Sequence, residues 1–137
     1  MKRLVAVSAA VLLAAAAAQA GGEEDWGAIG LGRAFYISNC ASCHGPLAQG
    51  SAEGSHRLDL TTLAEHYGGR FDEVAVFQVV YGAHVVPVGG HRDMPVWGRL
   101  IARERSQGDA IARARCTSLV AYLKYIQDHP PRPVVLE

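Results

Sequence analysis

Apolar residues recur at intervals of three and four along much of this 137-residue chain, and that spacing predicts amphipathic helices. The longest pattern ends at about Gln127, and shorter ones cover about 28–40, 61–67, 72–81 and 99–105. The apolar stripe of the last predicted helix consists of Ala112, Cys116, Leu119, Val120, Leu123 and Ile126. No β-hairpin signal lies between these patterns. The chain is therefore predicted to be all-α.

The first predicted helix carries a pair of residues suited to a close helix crossing. Gly32 and Tyr36 are four residues apart, so they lie on the same face of that helix. Because glycine has no side chain, another helix can cross close to Gly32, with the ring of Tyr36 beside the crossing.

Polar residues and glycines predict where the other helices begin and end. Thr61 or Thr62 is predicted to cap the second helix, and Asp72 to open the third, which Gly82 ends. Ser106-Gln107-Gly108-Asp109 resembles a capping box ahead of the last helix, with Asp in place of the usual Glu.

The first 20 residues have the pattern of a secretory signal peptide. Lys2 and Arg3 precede an alanine-rich apolar run, and Ala18-Gln19-Ala20 supplies a small-x-small cleavage site. We expect cleavage to leave residues 21–137 as the mature domain, exported most simply to a bacterial periplasm. The run is too short and too rich in alanine for a good membrane span. A retained N-terminal anchor helix is the alternative.

Composition predicts one small domain and no nucleic-acid partner. Without Lys2 and Arg3 the mature chain has 11 basic and 13 acidic residues, a net charge of −2. No basic surface that would attract nucleic acid is indicated. A domain of this size has a limited core, to which a buried cofactor would add a large apolar body.

Cys40-Ala41-Ser42-Cys43-His44 has the pattern of a covalent attachment site for a c-type haem. Two thiols separated by two residues can each add to one of the two vinyl groups on a haem edge. The histidine that follows directly is then placed under the macrocycle, where its ring nitrogen can bind the iron. The pattern predicts one haem c, bound through Cys40 and Cys43, with His44 as an axial ligand.

Other uses of a CxxC pattern fit this chain less well. A thioredoxin-like dithiol needs a βαβ context, which the helical pattern does not provide. A zinc site needs a second pair of ligands, but Cys116 is the only other cysteine. Cys116 lies on the apolar stripe of the last helix, so we expect a buried, inert thiol rather than a dimer disulfide.

Met94 is the candidate for the second axial ligand. It is the only methionine of the mature chain, and it lies in a loop predicted at 83–95. Pro95 prevents a helix from continuing through that position. His84 and His91, in the same loop, are rival ligands. Methionine ligation would raise the reduction potential, whereas a second histidine would lower it.

Three motifs in this order resemble those of class I cytochrome c domains. They are the Gly32-to-His44 segment, the methionine segment Asp93-Met94-Pro95-Val96-Trp97-Gly98, and Leu119-Val120-Ala121-Tyr122-Leu123-Lys124-Tyr125 of the last helix. The resemblance implies a cytochrome c fold, in which the N- and C-terminal helices cross and shorter helices and loops surround a covalent haem. It also implies single-electron transfer between redox protein partners, with no bond chemistry, by a monomer or by a subunit of a redox complex.

The chain departs from the family pattern in two places. Members usually have a proline about a dozen residues after the histidine, whose carbonyl orients it, but here His56-Arg57 stands there. We expect another carbonyl of loop 45–58 to take that role. The segment between Gly98 and the last helix is longer than in compact members, and the stretch from Arg99 to Arg115 is rich in arginine. We expect it to be a solvated helix face, and a docking patch is the alternative.

Two other functions stay open on the sequence alone. If Met94 were displaced or unbound, the haem would have an open sixth position, and the protein would be a haem enzyme or a gas sensor. His91-Arg92 could then stand over the iron. The third possibility treats the CxxC as a dithiol or metal site without haem.

Overall fold

The computed structural model describes residues 24–50, 58–82, 94–104 and 108–133. All regular structure in these ranges is helical, which confirms the all-α prediction. The elements are α1 (Trp26–Asn39), α2 (Ala41–His44), a 3₁₀ turn (Leu60–Thr62), α3 (Leu63–His66), α4 (Glu73–Tyr81), α5 (Trp97–Arg103) and α6 (Gly108–Asp128). The predicted signal segment 1–20, the histidines at 56, 84 and 91, and Ser106 of the predicted capping box lie outside the described residues.

The two longest helices, α1 and α6, cross at Gly32. A methyl group on Gly32 would overlap the carbonyl oxygen of Ser118 and would lie 2.8 Å from Cβ of Tyr122. The ring of Tyr36 is fully buried beside this crossing, with its centroid 5.5 Å from that of Tyr122. The prediction of a close helix crossing at Gly32 is therefore confirmed.

Helix α6 forms the centre of the core and contacts α1, α4, α5 and the 3₁₀ turn. Every residue of its predicted apolar stripe is buried, and Tyr122 is buried with them. Burial of a large aliphatic side chain contributes roughly 1.5–3 kcal/mol, so this stripe is a main source of stability. Cys116 has no exposed surface, which confirms the prediction of a buried thiol.

Side chains and one glycine fix the helix ends. Asp25 accepts a hydrogen bond from the backbone N–H of Ala28, at 3.0 Å, so α1 begins at Trp26, two residues before its predicted start. Asp72 opens α4, and Gly82 ends it in the left-handed region at φ +85°, both as predicted.

The structure refines one sequence prediction about helix ends and corrects another. Asp59 caps the 3₁₀ turn that opens the 60–66 segment by accepting from the Thr61 N–H at 2.8 Å. Thr62, one of the two predicted caps, is at the N-cap position of α3, but its side chain makes no capping hydrogen bond. Helix α5 begins at Trp97 rather than at 99. Trp97 packs edge-on against Phe35 with ring centroids 5.5 Å apart, and this tertiary contact extends the helix beyond its local pattern.

The apolar pattern of α1 predicts the helix but not which face is buried. Leu31 and Ile37 are 68% and 46% exposed, whereas Gly32 and Tyr36 are buried. The close crossing selects the face that carries the glycine, and it leaves the two larger aliphatic side chains at the surface. Among the described residues, no helix is long and apolar enough to cross a membrane.

Replacement of Gly32 by Ala should destabilise the protein, because the added methyl group meets the backbone of α6 and cannot rotate away. Overpacking of this kind costs about 1–3 kcal/mol. Gly30→Ala is the matched control, since nothing lies within 4 Å of a methyl group there. In that helix interior, alanine should stabilise by up to about 1 kcal/mol. Denaturant unfolding of both variants measures the difference, and equal effects would contradict the crossing.

Candidate functional site

One apolar cavity brings together three of the four residues singled out in the sequence. Cys40, His44 and Met94 all line it, although Met94 is 50 positions from His44 along the chain. The aliphatic part of the lining comes from the 3₁₀ turn, α3, α4 and α6, and it includes Leu60, Leu63, Val76, Val80, Leu119 and Leu123. The cavity has a volume of about 110 Å³ and opens to solvent on one side.

Helix α1 places the CxxCH segment at this cavity. The backbone N–H of Cys40 donates to the carbonyl of Tyr36 at 2.8 Å, and this is the last helical hydrogen bond of α1. The N–H of His44 then donates to the carbonyl of Cys40 at 2.9 Å. The short helix α2 therefore begins directly after Cys40. Cys40 is buried at the cavity wall, whereas Cys43 is exposed. The two thiols thus lie on the inner and outer sides of one helical turn.

Tyr36 holds the turn that follows the histidine. Its hydroxyl donates a hydrogen bond of 2.6 Å to the carbonyl of Gly45. Gly45 has φ +79°, and a methyl group there would lie 2.6 Å from the carbonyl oxygen of Gly50. The N–H of Gly50 donates to the backbone carbonyl of His44 at 3.0 Å. The backbone on both sides of His44 is therefore fixed by contacts with α1 and with its own loop.

Burial keeps the phenol and the inner thiol neutral. Desolvation, with smaller effects from Cys40 and Tyr122, raises the pKa of Tyr36 well above its usual range, so it stays a hydrogen-bond donor. Desolvation, helped by Cys43 and Cys116, raises the pKa of Cys40 to about 12. Reactive dithiols and metal-binding cysteines have lowered thiol pKa values. No cluster of three potential metal-ligating side chains occurs among the described residues.

Met94 reaches the cavity from a different part of the chain, the segment just before α5. It is partly buried and packs against the hydrophobic core. Pro95 follows it, and the chain enters α5 at Trp97. The methionine thioether and the His44 imidazole therefore line the same space on segments that are distant in sequence.

Comparison with known proteins identifies the family. The family model for cytochrome c matches residues 29–127, which is most of the chain, so the chain belongs to the cytochrome c family. No curated protein and no solved structure matches it. The family binds haem covalently and its members are generally electron carriers, so this is a haem-binding electron-transfer protein with redox partners. The all-helical structure agrees with the cytochrome c fold expected from the sequence.

The residues of the cavity fit a haem. Its walls are mostly aliphatic, as a macrocycle with apolar faces requires, and the buried residues in the described ranges include no charged side chain. An imidazole and a thioether, the two donors that hold haem iron in cytochromes c, line it together. Cys40 lies at its wall, and Cys43 is in the same helical turn.

The aliphatic lining and the Tyr36–Gly45 bond were not predicted as parts of the site. The spacing of Val76 and Val80 indicated a helix face, but not that it would face the CxxCH segment. No local signal pairs a phenol with a carbonyl nine residues away.

In the arginine-rich segment, two arginines form ion pairs. Nε of Arg113 lies 2.7 Å from Oδ2 of Asp109, and Nη1 of Arg115 lies 3.6 Å from Oε2 of Glu104.

The three cysteines offer a direct test of the attachment site. Cys40→Ala and Cys43→Ala should each lower the yield of covalently bound haem, because each removes one of the two thiols available for thioether formation. Cys116→Ala should not, because that thiol is buried on α6 and does not line the cavity. Haem staining of denatured protein, produced with haem-attachment machinery, measures the yield. Full attachment in both CxxCH variants would contradict the assignment.

Proposed function

We propose that this chain is a class I, monohaem cytochrome c in which His44 and Met94 are the two axial ligands of one haem c. The observation that carries the proposal is the convergence of these two side chains on one apolar cavity. When bound, the haem supplies reversible one-electron exchange. The protein has to bind the haem, orient it and shield it from water.

The attachment roles follow from the placement of the two thiols. Cys40, at the cavity wall, and Cys43, on the exposed side of α2, would form the two thioether bonds. Cys43 marks the side on which a bound haem would come closest to solvent. We therefore propose that electrons enter and leave near Cys43, where a redox partner can approach.

The cavity lining suits electron transfer more than it suits catalysis. An imidazole and a thioether, both supplied by the protein, would leave no vacant position on the iron, so little would have to move when its charge changes. Aliphatic walls exclude water and disfavour the more highly charged oxidised state, which raises the potential in the same direction as a thioether ligand.

An enzyme or gas sensor would need a polar group over an open iron position. Among the described residues that line the cavity, His44 is the only histidine and none is an arginine. The hydroxyl groups in this lining belong to Tyr67 and to Tyr36, and that of Tyr36 donates to the Gly45 carbonyl. His91 and Arg92, the sequence candidates for that role, lie outside the described residues. The described lining thus favours the electron carrier.

The cellular setting belongs to the same proposal. A signal peptide at 1–20 and a mature domain at 21–137 would place the protein in the periplasm, where haem is attached to CxxCH in bacteria. Its partners would be a protein donor and a protein acceptor of single electrons, whether it acts as a free carrier or as the cytochrome subunit of an oxidoreductase.

Met94→Ala tests the ligand assignment. Haem should remain attached, the reduction potential should fall, and the reduced protein should bind CO readily, because the thioether that competes for the iron is gone. Val79→Ala is the matched control, since it removes volume from the same cavity without removing a donor. It should refuse CO as the wild type does. If Met94→Ala also refuses CO, another residue is the ligand.

A further inference from the structure

We propose that Tyr81, Asp109 and Arg113 form a clamp that positions Met94 for ligation, although none of the three lines the haem cavity. The inference rests on the proposed His44/Met94 ligation and adds positioning residues to it.

The end of α4 packs against the start of α5. Tyr81 is the last residue of α4, and Gly82 follows in the left-handed conformation. A methyl group on Gly82 would overlap the side chain of Val96, which lies two residues after Met94. The end of α4 and the segment that carries Met94 are therefore in direct contact.

A second contact fixes the same segment. Gly98 lies against Tyr81, so closely that a methyl group there would be 2.6 Å from the backbone oxygen of Tyr81 and 2.7 Å from two of its ring carbons. Since Val96 and Gly98 both pack on the end of α4, the position of Met94 depends on where that end lies.

Tyr81 in turn is fastened to α6. Its hydroxyl donates a hydrogen bond to Oδ1 of Asp109, and Nε of Arg113 donates to Oδ2 of the same carboxylate at 2.7 Å. The Arg113 guanidinium lies 4.9 Å from the centre of the Tyr81 ring, and the ring of Phe77 stacks on Tyr81 at 5.3 Å. The phenol is thus held between α4, α5 and α6.

The electrostatics agree with this geometry. The hydrogen bond from Tyr81, and then that from Arg113, hold the pKa of Asp109 below its usual value, so the carboxylate is ionised and accepts from both. The carboxylate, guanidinium and hydroxyl are solvent-exposed, and exposed pairs of this kind contribute little to global stability. Their effect should therefore be local, on the segment that the clamp holds.

The chain offers a matched control on the same two helices. Lys124 Nζ of α6 lies 2.5 Å from Glu73 Oε1, at the first residue of α4. This ion pair also ties α4 to α6 and is as exposed as the Asp109–Arg113 pair. It lies at the opposite end of α4, away from Val96 and Gly98.

The experiment compares Tyr81→Phe with Lys124→Gln in the haem-loaded protein. Tyr81→Phe keeps the ring contacts and removes only the hydroxyl. The wild type should take up no CO within the minutes of a spectrum, but over hours under saturating CO it should bind slowly, whenever Met94 is displaced. Tyr81→Phe should make this slow binding roughly fivefold faster, the size of effect expected from one exposed hydrogen bond. Hydrogen exchange supplies a second readout at the Leu100 amide, which donates to the Val96 carbonyl at 3.1 Å. It should exchange faster in Tyr81→Phe and be unchanged in Lys124→Gln.

Three results would overturn the clamp, and they differ in what else they overturn. If the wild type binds CO as fast as Met94→Ala, the proposed ligation fails and the clamp fails with it. If the wild type and Tyr81→Phe bind CO at the same slow rate over hours, the ligation stands and the clamp is wrong. If Lys124→Gln accelerates CO binding as much as Tyr81→Phe, the effect comes from the general attachment of α4 to α6.

Discussion

The contact between α1 and α6 at Gly32 is the constraint on which the rest of the structure depends. It places the CxxCH segment at the end of α1 beside the buried face of α6. Helix α6 also contacts α4 and the 3₁₀ turn, which together with α3 supply most of the remaining aliphatic walls. A side chain at position 32 would separate the two helices and enlarge the cavity between the elements that they hold.

This arrangement explains how a chain with few polar core residues can build a cofactor site. Among the described residues, every buried side chain of the core is apolar or a neutral phenol or thiol. His44, the proposed axial ligand, lies on a short helix whose backbone is fixed by Tyr36 and by the 45–50 turn. Met94 contributes a thioether sulfur, and because this atom carries no charge, burying it does not require an ion to be desolvated. The family's haem can therefore be accommodated without burying an ionised residue.

The sequence predicts those features that depend on local spacing. The stripe of α6, the glycine at the crossing and the helix ends at Asp72 and Gly82 follow from periodicity and capping, and all are confirmed. The exposure of Leu31 and the start of α5 at Trp97 could not be predicted, because packing between distant segments decides them. The same holds for the hydrogen bonds of Tyr36 and Tyr81. Local chemistry indicated Cys40, Cys43, His44 and Met94 as the site; their roles remain predictions.

The visible spectrum of the haem-loaded wild-type protein tests the central claim, that His44 and Met94 hold one haem, most directly. It should be recorded in the oxidised state, in the reduced state, and in the reduced state under CO. We expect a covalently attached haem with the weak methionine–iron(III) charge-transfer band and no change in the minutes after adding CO. A covalent haem that lacks this band and takes up CO readily would contradict ligation by Met94 and would favour a ligand-binding haem protein.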